Sequence, residues 1–423
     1  LQIIGDLRFV NNGDWFPTES WMKDGYYFDL KEGSIKLLMD PFNVTAGLLP
    51  VRHNYSRNPY EILLDSSGKQ KIGFTFRYEG AAFIYQSSWI ALNYLSNYVY
   101  NYGITGDGFF NEPWKDRGLN YKIFLFKFGD FRIGYEETAL YLERVFDANY
   151  FINPAPSILI NTLWSNQSGN PWTMRTNDSS LMGIYGDYKS GNVYAEAELV
   201  IKDLNLPIGY TTNLNKFAWS FGGIWKTEIG SFSFWSGGAT KHMFASSYQT
   251  AENPNIYPYE YTYYPQDVVS GKTIPIEENY IGFSYGENTL AFKACWENDY
   301  KINDSLMFLS AEAEWVVSGS KSPHNPWHEY LDCSEIGNKT ELFYGDNVLE
   351  NRLSLKLMSK IQFGSFFASA EFRYTHVVNA LALSGNEEII ARNEHLIWKP
   401  QEGLTENNIE WLFMFGYSLN IKN

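Results

Sequence analysis

The sequence predicts an all-β protein, an antiparallel transmembrane β-barrel of about 18 strands (16–18) with short periplasmic turns and long extracellular loops. Three observations support this prediction. Many short segments alternate apolar and polar residues, the polar faces carry charges of both signs, and short connections alternate with long ones. A chain of 423 residues is long for one soluble domain, but a single large barrel can use all of it. We therefore expect residues 1–423 to form one barrel domain.

The clearest alternation lies in residues 192–202. Side chains of a strand point alternately to opposite faces, so this segment separates an apolar surface from one that carries carboxylates. A soluble sandwich turns such an apolar face inward, whereas a transmembrane barrel turns it outward to lipid. The apolar face consists of Val193, Ala195, Ala197, Leu199 and Ile201, and the polar face of Tyr194, Glu196 and Glu198.

The polar faces of the other predicted strands carry charges of both signs, while the apolar rows are almost free of charge. Strands with a lipid face and a wet interior have this pattern, and it favours the membrane barrel over the soluble sandwich. We therefore expect the charged side chains of the polar faces to line the lumen. They are Lys71, Arg77, Glu79, Arg132, Glu136, Glu196, Glu198, Glu312, Glu314, Arg352, Lys356, Glu371 and Arg373.

The connections between the predicted strands fall into two classes. Tight ones are centred on Gly129-Asp130, Ser190-Gly191, Gly286-Glu287 and Gly364, and long ones cover residues 140–179, 238–279, 318–348 and 376–408. Such alternation puts all the tight turns at one end of a barrel and all the long loops at the other. Residues 52–67 break the alternation, and we expect residues 59–64 within them to form a single helical turn or a constriction loop.

The composition agrees with a membrane barrel. Aromatic residues make up 18% of the chain and charged residues only 19%. Tyr and Trp have an apolar body and a polar tip that suit a membrane–water interface, although aromatic-rich soluble sugar-binding or sugar-cleaving proteins share this composition. The net charge of −15 and the lack of a basic run argue against a nucleic-acid partner. Because the chain opens directly on a strand-like run, we expect a mature or trimmed form.

We find no catalytic motif in the sequence, so we expect neither enzymatic activity nor a cofactor. His324 and His328 lie beside two prolines, which argue against the helix that a metal site at this spacing needs. Cys295 and Cys333 are two ordinary thiols or one optional bridge. A soluble carbohydrate enzyme would need a cleft with paired carboxylates. Pairs such as Glu196 and Glu198 are also common in lumens that catalyse nothing.

Two long loops carry residues that suit glycan binding. Apolar faces of sugars stack on exposed aromatic rings, while carboxylates and amides accept hydrogen bonds from sugar hydroxyls. The alternative is that these side chains pack the loops against one another or rim the barrel. The candidates are Tyr257, Tyr259, Tyr261, Tyr263 and Trp327.

Residues 131–207, about a fifth of the chain, contain a series of short motifs. They are Tyr135-Glu136, Arg144, residues 150–154 (Tyr-Phe-Ile-Asn-Pro), residues 177–183 (Asn-Asp-Ser-Ser-Leu-Met-Gly), residues 194–196 (Tyr-Ala-Glu) and residues 201–203 (Ile-Lys-Asp), with weaker similarity at residues 47–52 and 62–64. In these motifs the chain resembles the Wzi-like family of outer-membrane capsule-assembly proteins. The resemblance implies a barrel in a bacterial outer membrane that binds or organises surface polysaccharide without chemistry. Its partners would be outer-membrane lipid and the polysaccharide, and we expect a monomer. The alternative is a general diffusion porin for small solutes.

Overall fold

The computed structural model describes residues 2–11, 26–53, 55–64, 70–93, 99–105, 108–113, 116–142, 144–160, 178–203, 215–241, 243–244, 268–269, 272–273, 281–302, 305–321, 342–343, 345–384 and 397–417. In chain order, the strands are β1 (Gln2–Asn11), β2 (Tyr26–Met39), β3 (Phe42–Pro50), β4 (Gln70–Glu79), β5 (Phe83–Asn93), β6 (Val99–Thr105), β7 (Gly108–Pro113), β8 (Arg117–Phe128), β9 (Phe131–Leu142), β10 (Ser179–Ser190), β11 (Val193–Asp203), β12 (Lys216–Thr227), β13 (Gly230–Ala239), β14 (Val268–Val269), β15 (Lys272–Thr273), β16 (Thr289–Ile302), β17 (Ser305–Ser318), β18 (Glu350–Phe363), β19 (Phe366–Val378), β20 (Leu381–Ser384), β21 (Ile397–Pro400) and β22 (Thr405–Tyr417). A short helix, α1 (Ala148–Ile152), lies between β9 and β10 and is capped by Asp147, whose carboxylate accepts the N–H of Asn149.

The predicted all-β antiparallel architecture is confirmed. One antiparallel sheet contains 16 strands, and each strand pairs with the next one of the sheet along the chain, from β1 through to β22. The remaining strands form three two-stranded hairpins, β6–β7, β14–β15 and β20–β21, which lie within the long connections. The count of about 18 is too high by two, within the predicted range.

The prediction that Gly286-Glu287 forms the tight turn of a strand hairpin is wrong. β13 pairs directly with β16, and residues 281–288 form an irregular segment before β16 rather than a strand that pairs with it. The positive φ of Gly286, 69°, does place a turn there. That turn lies inside a long connection, however, because glycine marks a tight turn in a loop as well as in a hairpin.

The two classes of connection lie at opposite ends of the sheet, as predicted. Connections of two or three residues join β2–β3, β4–β5, β8–β9, β10–β11, β12–β13, β16–β17 and β18–β19. Because the strands are antiparallel and in chain order, these turns share one end, and the long connections share the other. Gly129, Gly191 and Gly364 have φ values of 62°, 53° and 59° in three of these turns, where residues with a Cβ are strained.

The sheet curls around residues 51–53 and 55–64, which follow β3 and which we call the inner plug. Its side chains and backbone contact the same face of β4, β9, β11 and β17. A segment this short reaches strands so far apart in the sheet only if the sheet wraps around it as a barrel wall. Among the described residues, no ladder joins β1 to β22.

The outer face of the wall is apolar. On β18 it carries Leu353, Leu355 and Leu357, the last with 56% of its surface exposed, and β22 adds Trp411 and Phe413. Because successive residues alternate between the faces, the charged residues between these positions face the lumen. No helix within the described ranges is long and apolar enough to cross a membrane.

Candidate functional site: a plugged lumen beside a polar cavity

The inner plug enters the barrel from the end that carries the long connections. Tyr60, Ile62, Leu63 and Leu64 are almost completely buried and share one hydrophobic cluster with inward residues of the wall such as Tyr121. Each of these side chains contributes roughly 1.5–3 kcal/mol by leaving water. The chain thus forms a core inside the barrel, at the place where the sequence predicts a helical turn or a constriction loop.

Two wall carboxylates hold the backbone of the plug. Glu196 on β11 accepts the Arg57 N–H at 2.9 Å and the Ser56 hydroxyl at 2.5 Å. Two residues further along β11, Glu198 accepts the N–H groups of Ile62 and Leu63 at 3.0 and 3.2 Å. An irregular segment cannot satisfy its own N–H groups, and these carboxylates do so in its place.

The ring of Tyr55 lies between two guanidinium groups. Arg77 on β4 is 4.4 Å from the ring centroid and Arg132 on β9 is 4.9 Å from it. Arg132 also donates two hydrogen bonds to Asp187 on β10, at 2.8 and 2.6 Å, which fix the plane of its guanidinium. Cation–π contacts of this kind fasten the plug to strands on either side of it.

His53 closes the first turn of the plug. Its Nδ1 accepts the N–H groups of Tyr55 and Ser56, so Nε2 carries the proton and lies 3.8 Å from a Glu136 carboxylate oxygen on β9. Burial, together with the nearby cations Arg132 and Arg77, lowers the pKa of His53 to about 3. The imidazole is therefore neutral and serves as a structural acceptor.

Glu61 accepts the His53 N–H at 2.9 Å and ties the two ends of the plug together. Burial raises the pKa of Glu61 well above its usual value, and Glu198 and Glu196 raise it further. This cluster of carboxylates is out of reach of a substrate, because each member is buried and already accepts hydrogen bonds. The hydrogen bonds of these carboxylates hold the plug in place.

A polar cavity of about 930 Å³ lies between the plug and the wall formed by β16–β19 and β22. Tyr60 of the plug and Tyr285 border it, and their hydroxyls donate to the two oxygens of Glu314 at 2.7 and 2.6 Å. The rest of the lining mixes charges, hydroxyls and amides. It comprises Pro59, Ser284, Lys293, Glu312, Arg352, Ser354, Lys356, Arg373, Thr375, Val377, Glu406, Asn407, Asn408 and Glu410.

Ion pairs along the wall set the charge of this cavity. Lys293 pairs with Glu312 at 2.8 Å, Lys356 pairs with Glu371 at 3.1 Å, and Arg373 lies within 3.6 Å of Glu410. Positive and negative groups are therefore interleaved rather than segregated. Such a surface offers donors and acceptors close together and gives little net attraction to a charged solute.

A second, smaller cavity of about 130 Å³ lies beside β2–β5, with Arg52 and Leu64 of the plug and Lys71 and Gln86 of the wall in its lining. The plug thus borders both cavities and stands between them. Its Arg57 guanidinium lies 5.0 Å from the Tyr194 ring of β11, a further contact across the lumen.

The charged residues that the sequence places in the lumen fall into three groups in the structure. Glu136, Glu196, Glu198, Arg77 and Arg132 contact the plug or flank it. Lys71 borders the small cavity, and Glu79 binds Arg77 and Lys127 near the tight turns. The remaining ones border the large cavity or pair with residues that do: Glu312, Glu314, Arg352, Lys356, Glu371 and Arg373.

The proposed glycan-binding aromatics, Tyr257, Tyr259, Tyr261, Tyr263 and Trp327, lie outside the described residues, as does Cys333. Cys295 is described and is a free thiol. Within the described part of the chain, no three His, Cys, Asp or Glu side chains group into a metal site. The anchoring of the plug by wall carboxylates was not predicted, and its only signal in the sequence is the interrupted alternation at residues 52–67.

No protein-family model matches this chain, and no curated protein matches it. Among solved structures, the chain is similar to Wzi, an outer membrane protein involved in group 1 capsule assembly in Escherichia coli and a carbohydrate-binding β-barrel. That comparison has a TM-score of 0.47 and 12% identity over 83% of this chain and 67% of that one. The chain is also similar to a porin, with a TM-score of 0.33 and 8% identity over 98% of this chain and 99% of that one. Both likenesses are distant.

Proposed function

We propose that this protein is a non-catalytic, monomeric β-barrel of a bacterial outer membrane, and that it binds surface polysaccharide. The observation that carries the proposal is the polar cavity of about 930 Å³ beside the inner plug. The proposed role is to hold or organise the glycan as it lies at the cell surface.

The membrane assignment follows from the surface of the wall. Leu353, Leu357, Trp411 and Phe413 are 43–63% exposed on its outer face, while charged residues alternate with them on the inner face. In water, such a row would expose a wide apolar belt, whereas in a bilayer it meets acyl chains. The long connections then lie on the extracellular side and the tight turns on the periplasmic side.

The lining of the large cavity suits a hydroxyl-rich ligand. Carboxylates such as that of Glu406 accept hydrogen bonds from hydroxyls, and amides such as that of Asn408 both accept and donate them. The half-buried ring of Tyr285 offers apolar surface. The volume falls within the range of ordinary ligand sites, about 300–1,000 Å³. The interleaved charges favour a ligand recognised by many hydrogen bonds over a small ion drawn by net charge.

The plug argues against the alternative of a general diffusion porin. Its aliphatic residues and its anchors on β4, β9 and β11 fill the part of the lumen beside those strands. An open porin needs a continuous aqueous path. We therefore expect little or no conductance when the protein is inserted into planar bilayers, and large, steady single-channel currents would instead support the porin.

The binding proposal is tested with purified capsular and exopolysaccharide fragments, fluorescently labelled at the reducing end, titrated onto the detergent-solubilised barrel. Arg373→Ala and Glu410→Ala remove cavity groups and should each weaken binding at least several-fold. Lys71→Ala is the matched control, since it removes an inward charge that borders only the small cavity. Heat-modifiable gel mobility checks that each variant folds as a barrel. Binding unchanged in both cavity variants, or no binding of any fragment, would refute the proposed site.

A further inference from the structure

The outer face of the wall is interrupted by a charged pair on β8 and β9. Lys122 and Glu137 are register partners, and Glu137 follows the inward Glu136, so both side chains point outward. Their charged atoms are 3.6 Å apart, and both side chains are completely buried. Something on the outside of the barrel therefore covers them.

The cover is residues 144–160, which we call the outer flap. The Ser157 N–H and hydroxyl donate to Glu137 at 2.7–2.8 Å, and Lys122 donates to the Ala155 carbonyl at 2.8 Å. A hydrophobic cluster separate from that of the plug joins Tyr150 of the flap to Tyr141 of β9. The flap is thus a built part of the outer wall.

Further contacts hold the flap along its length. The Ser87 hydroxyl of β5 donates to the Phe151 carbonyl at 2.9 Å, and the Phe151 ring packs on Phe74 of β4. Gly118 allows the backbone of the flap to approach β8 closely, since a Cβ at Gly118 would lie 2.1 Å from the Val145 carbonyl oxygen. The flap therefore lies across the outward faces of β4, β5, β8 and β9.

The level of the flap along the wall follows from a comparison of two strands. Glu137 lies seven residues from Asp130 in the turn between β8 and β9, and Leu357 lies seven residues from Gly364 in the turn between β18 and β19. Leu357 is 56% exposed at that level and Glu137 is 0% exposed. At the level where Leu357 is exposed on the outer face of β18, the flap covers the outer face of β8 and β9.

The flap itself turns apolar side chains outward. Ile152 is 71% exposed, Leu159 is 51% exposed and Phe146 is 47% exposed, while Ser157 and the Ala155 carbonyl face the wall and Asn149 is exposed beside the helix cap. We infer that the outer flap lies in the acyl-chain region of the leaflet on the long-loop side, and that these residues contact lipid directly. This surface continues the apolar belt of the barrel, which is the reason for choosing lipid over a protein partner. The inference rests on the membrane-spanning part of the proposed function and is independent of the glycan.

The test uses the full chain in phosphatidylcholine vesicles, with Cys295→Ser and Cys333→Ser as the background. A nitrobenzoxadiazole (NBD) label is attached at Ile152→Cys, at Leu159→Cys, at Leu357→Cys as the wall reference, or at Glu402→Cys, an exposed residue of the last long connection. Quenching by phosphatidylcholine brominated on its acyl chains reports contact with the hydrocarbon. We expect the two flap labels to be quenched at least half as strongly as the wall reference, and Glu402→Cys to be quenched little.

Other outcomes overturn the inference in different ways. Quenching at both flap positions no greater than at Glu402→Cys, with Leu357→Cys quenched, would show that the flap is outside the hydrocarbon. If the flap labels were instead shielded from both brominated lipid and aqueous iodide, a second copy of this chain would be the occupant. If Leu357→Cys were not quenched, the membrane-spanning proposal itself would fail, and the inference with it.

Discussion

Removal of the carboxylates that hold the inner plug should release it without unfolding the barrel. The single variant Glu198→Ala leaves the N–H groups of Ile62 and Leu63 without their acceptor, and the double variant with Glu196→Ala removes two further bonds. Because these bonds join the wall to a loop and not strand to strand, the ladders on either side of β11 remain. Besides its effect on the plug, the double variant removes the side-chain bonds that Ser220 donates to Glu198 and Tyr194 donates to Glu196.

The magnitude follows from the contacts. A buried donor left without a partner costs about 1–3 kcal/mol, so Glu198→Ala weakens docking by roughly 2–6 kcal/mol. The burial of Tyr60, Ile62, Leu63 and Leu64, which are 0–3% exposed, stabilises docking by roughly 6–12 kcal/mol. The single variant should thus open often but stay mostly docked. The double variant loses about as much docking free energy again, so its plug should remain undocked.

Amide hydrogen exchange of residues 56–63, followed by mass spectrometry, measures docking directly. A loss of 2 kcal/mol corresponds to roughly 30-fold faster exchange, which we take as the minimum for Glu198→Ala. Glu371→Ala is the control, because that inward carboxylate on β19 pairs with Lys356 and Arg373 and not with the plug. Exchange in the double variant equal to that of the parent would refute the anchoring role of both carboxylates.

Three further outcomes follow from the structure. Ala313→Arg on the outer face should impair assembly by about 2–4 kcal/mol near the midplane, whereas the inward Glu312→Gln should be tolerated, as measured by heat-modifiable gel mobility after refolding. Lys122→Met leaves its buried partner carboxylate unpaired and should cost about 3–5 kcal/mol in urea unfolding, and a cost below 1 kcal/mol would show that the pair is not needed. Because His53 has a pKa of about 3 when docked and about 6.5 when released, the contribution of His53 to plug docking is full above pH 6.5. It should weaken by up to about 1.4 kcal/mol per unit as the pH falls toward 3. Glu61 titrates in the opposite sense, so the exchange measurement belongs in a Glu61→Gln background, where His53→Asn should reduce the dependence.

The alternation of residues along a strand predicted which side chains share a face, because the pleat imposes a period of two. For Glu196 and Glu198 this was enough to place both carboxylates on the inner face of β11. The alternation does not say what a side chain meets there. Their partners, Arg57 and Ile62, lie about 140 residues earlier in the chain, and only the curvature of the complete sheet brings them together.

The same limit explains the outer flap. The period-two pattern predicts outer rows almost free of charge, yet Lys122 and Glu137 lie on the outer face of β8 and β9. A pair buried on the lipid side is tolerated only when another segment supplies hydrogen bonds and excludes lipid. The covering segment belongs to a long connection, whose conformation depends on the wall on which it packs.

The plug and the flap lie on opposite faces of the wall, yet one physical requirement governs both. Each is an irregular segment packed where water is scarce, so each has backbone N–H groups that its own chain cannot satisfy. In both cases a carboxylate on a neighbouring strand accepts them: Glu198 takes those of Ile62 and Leu63, and Glu137 takes that of Ser157. Two oxygens on a flexible stem suit this role better than a single hydroxyl does. Part of the excess of 48 acidic over 33 basic residues thus serves to seat the long connections, and a charge count alone would misread it as a signal about the solute.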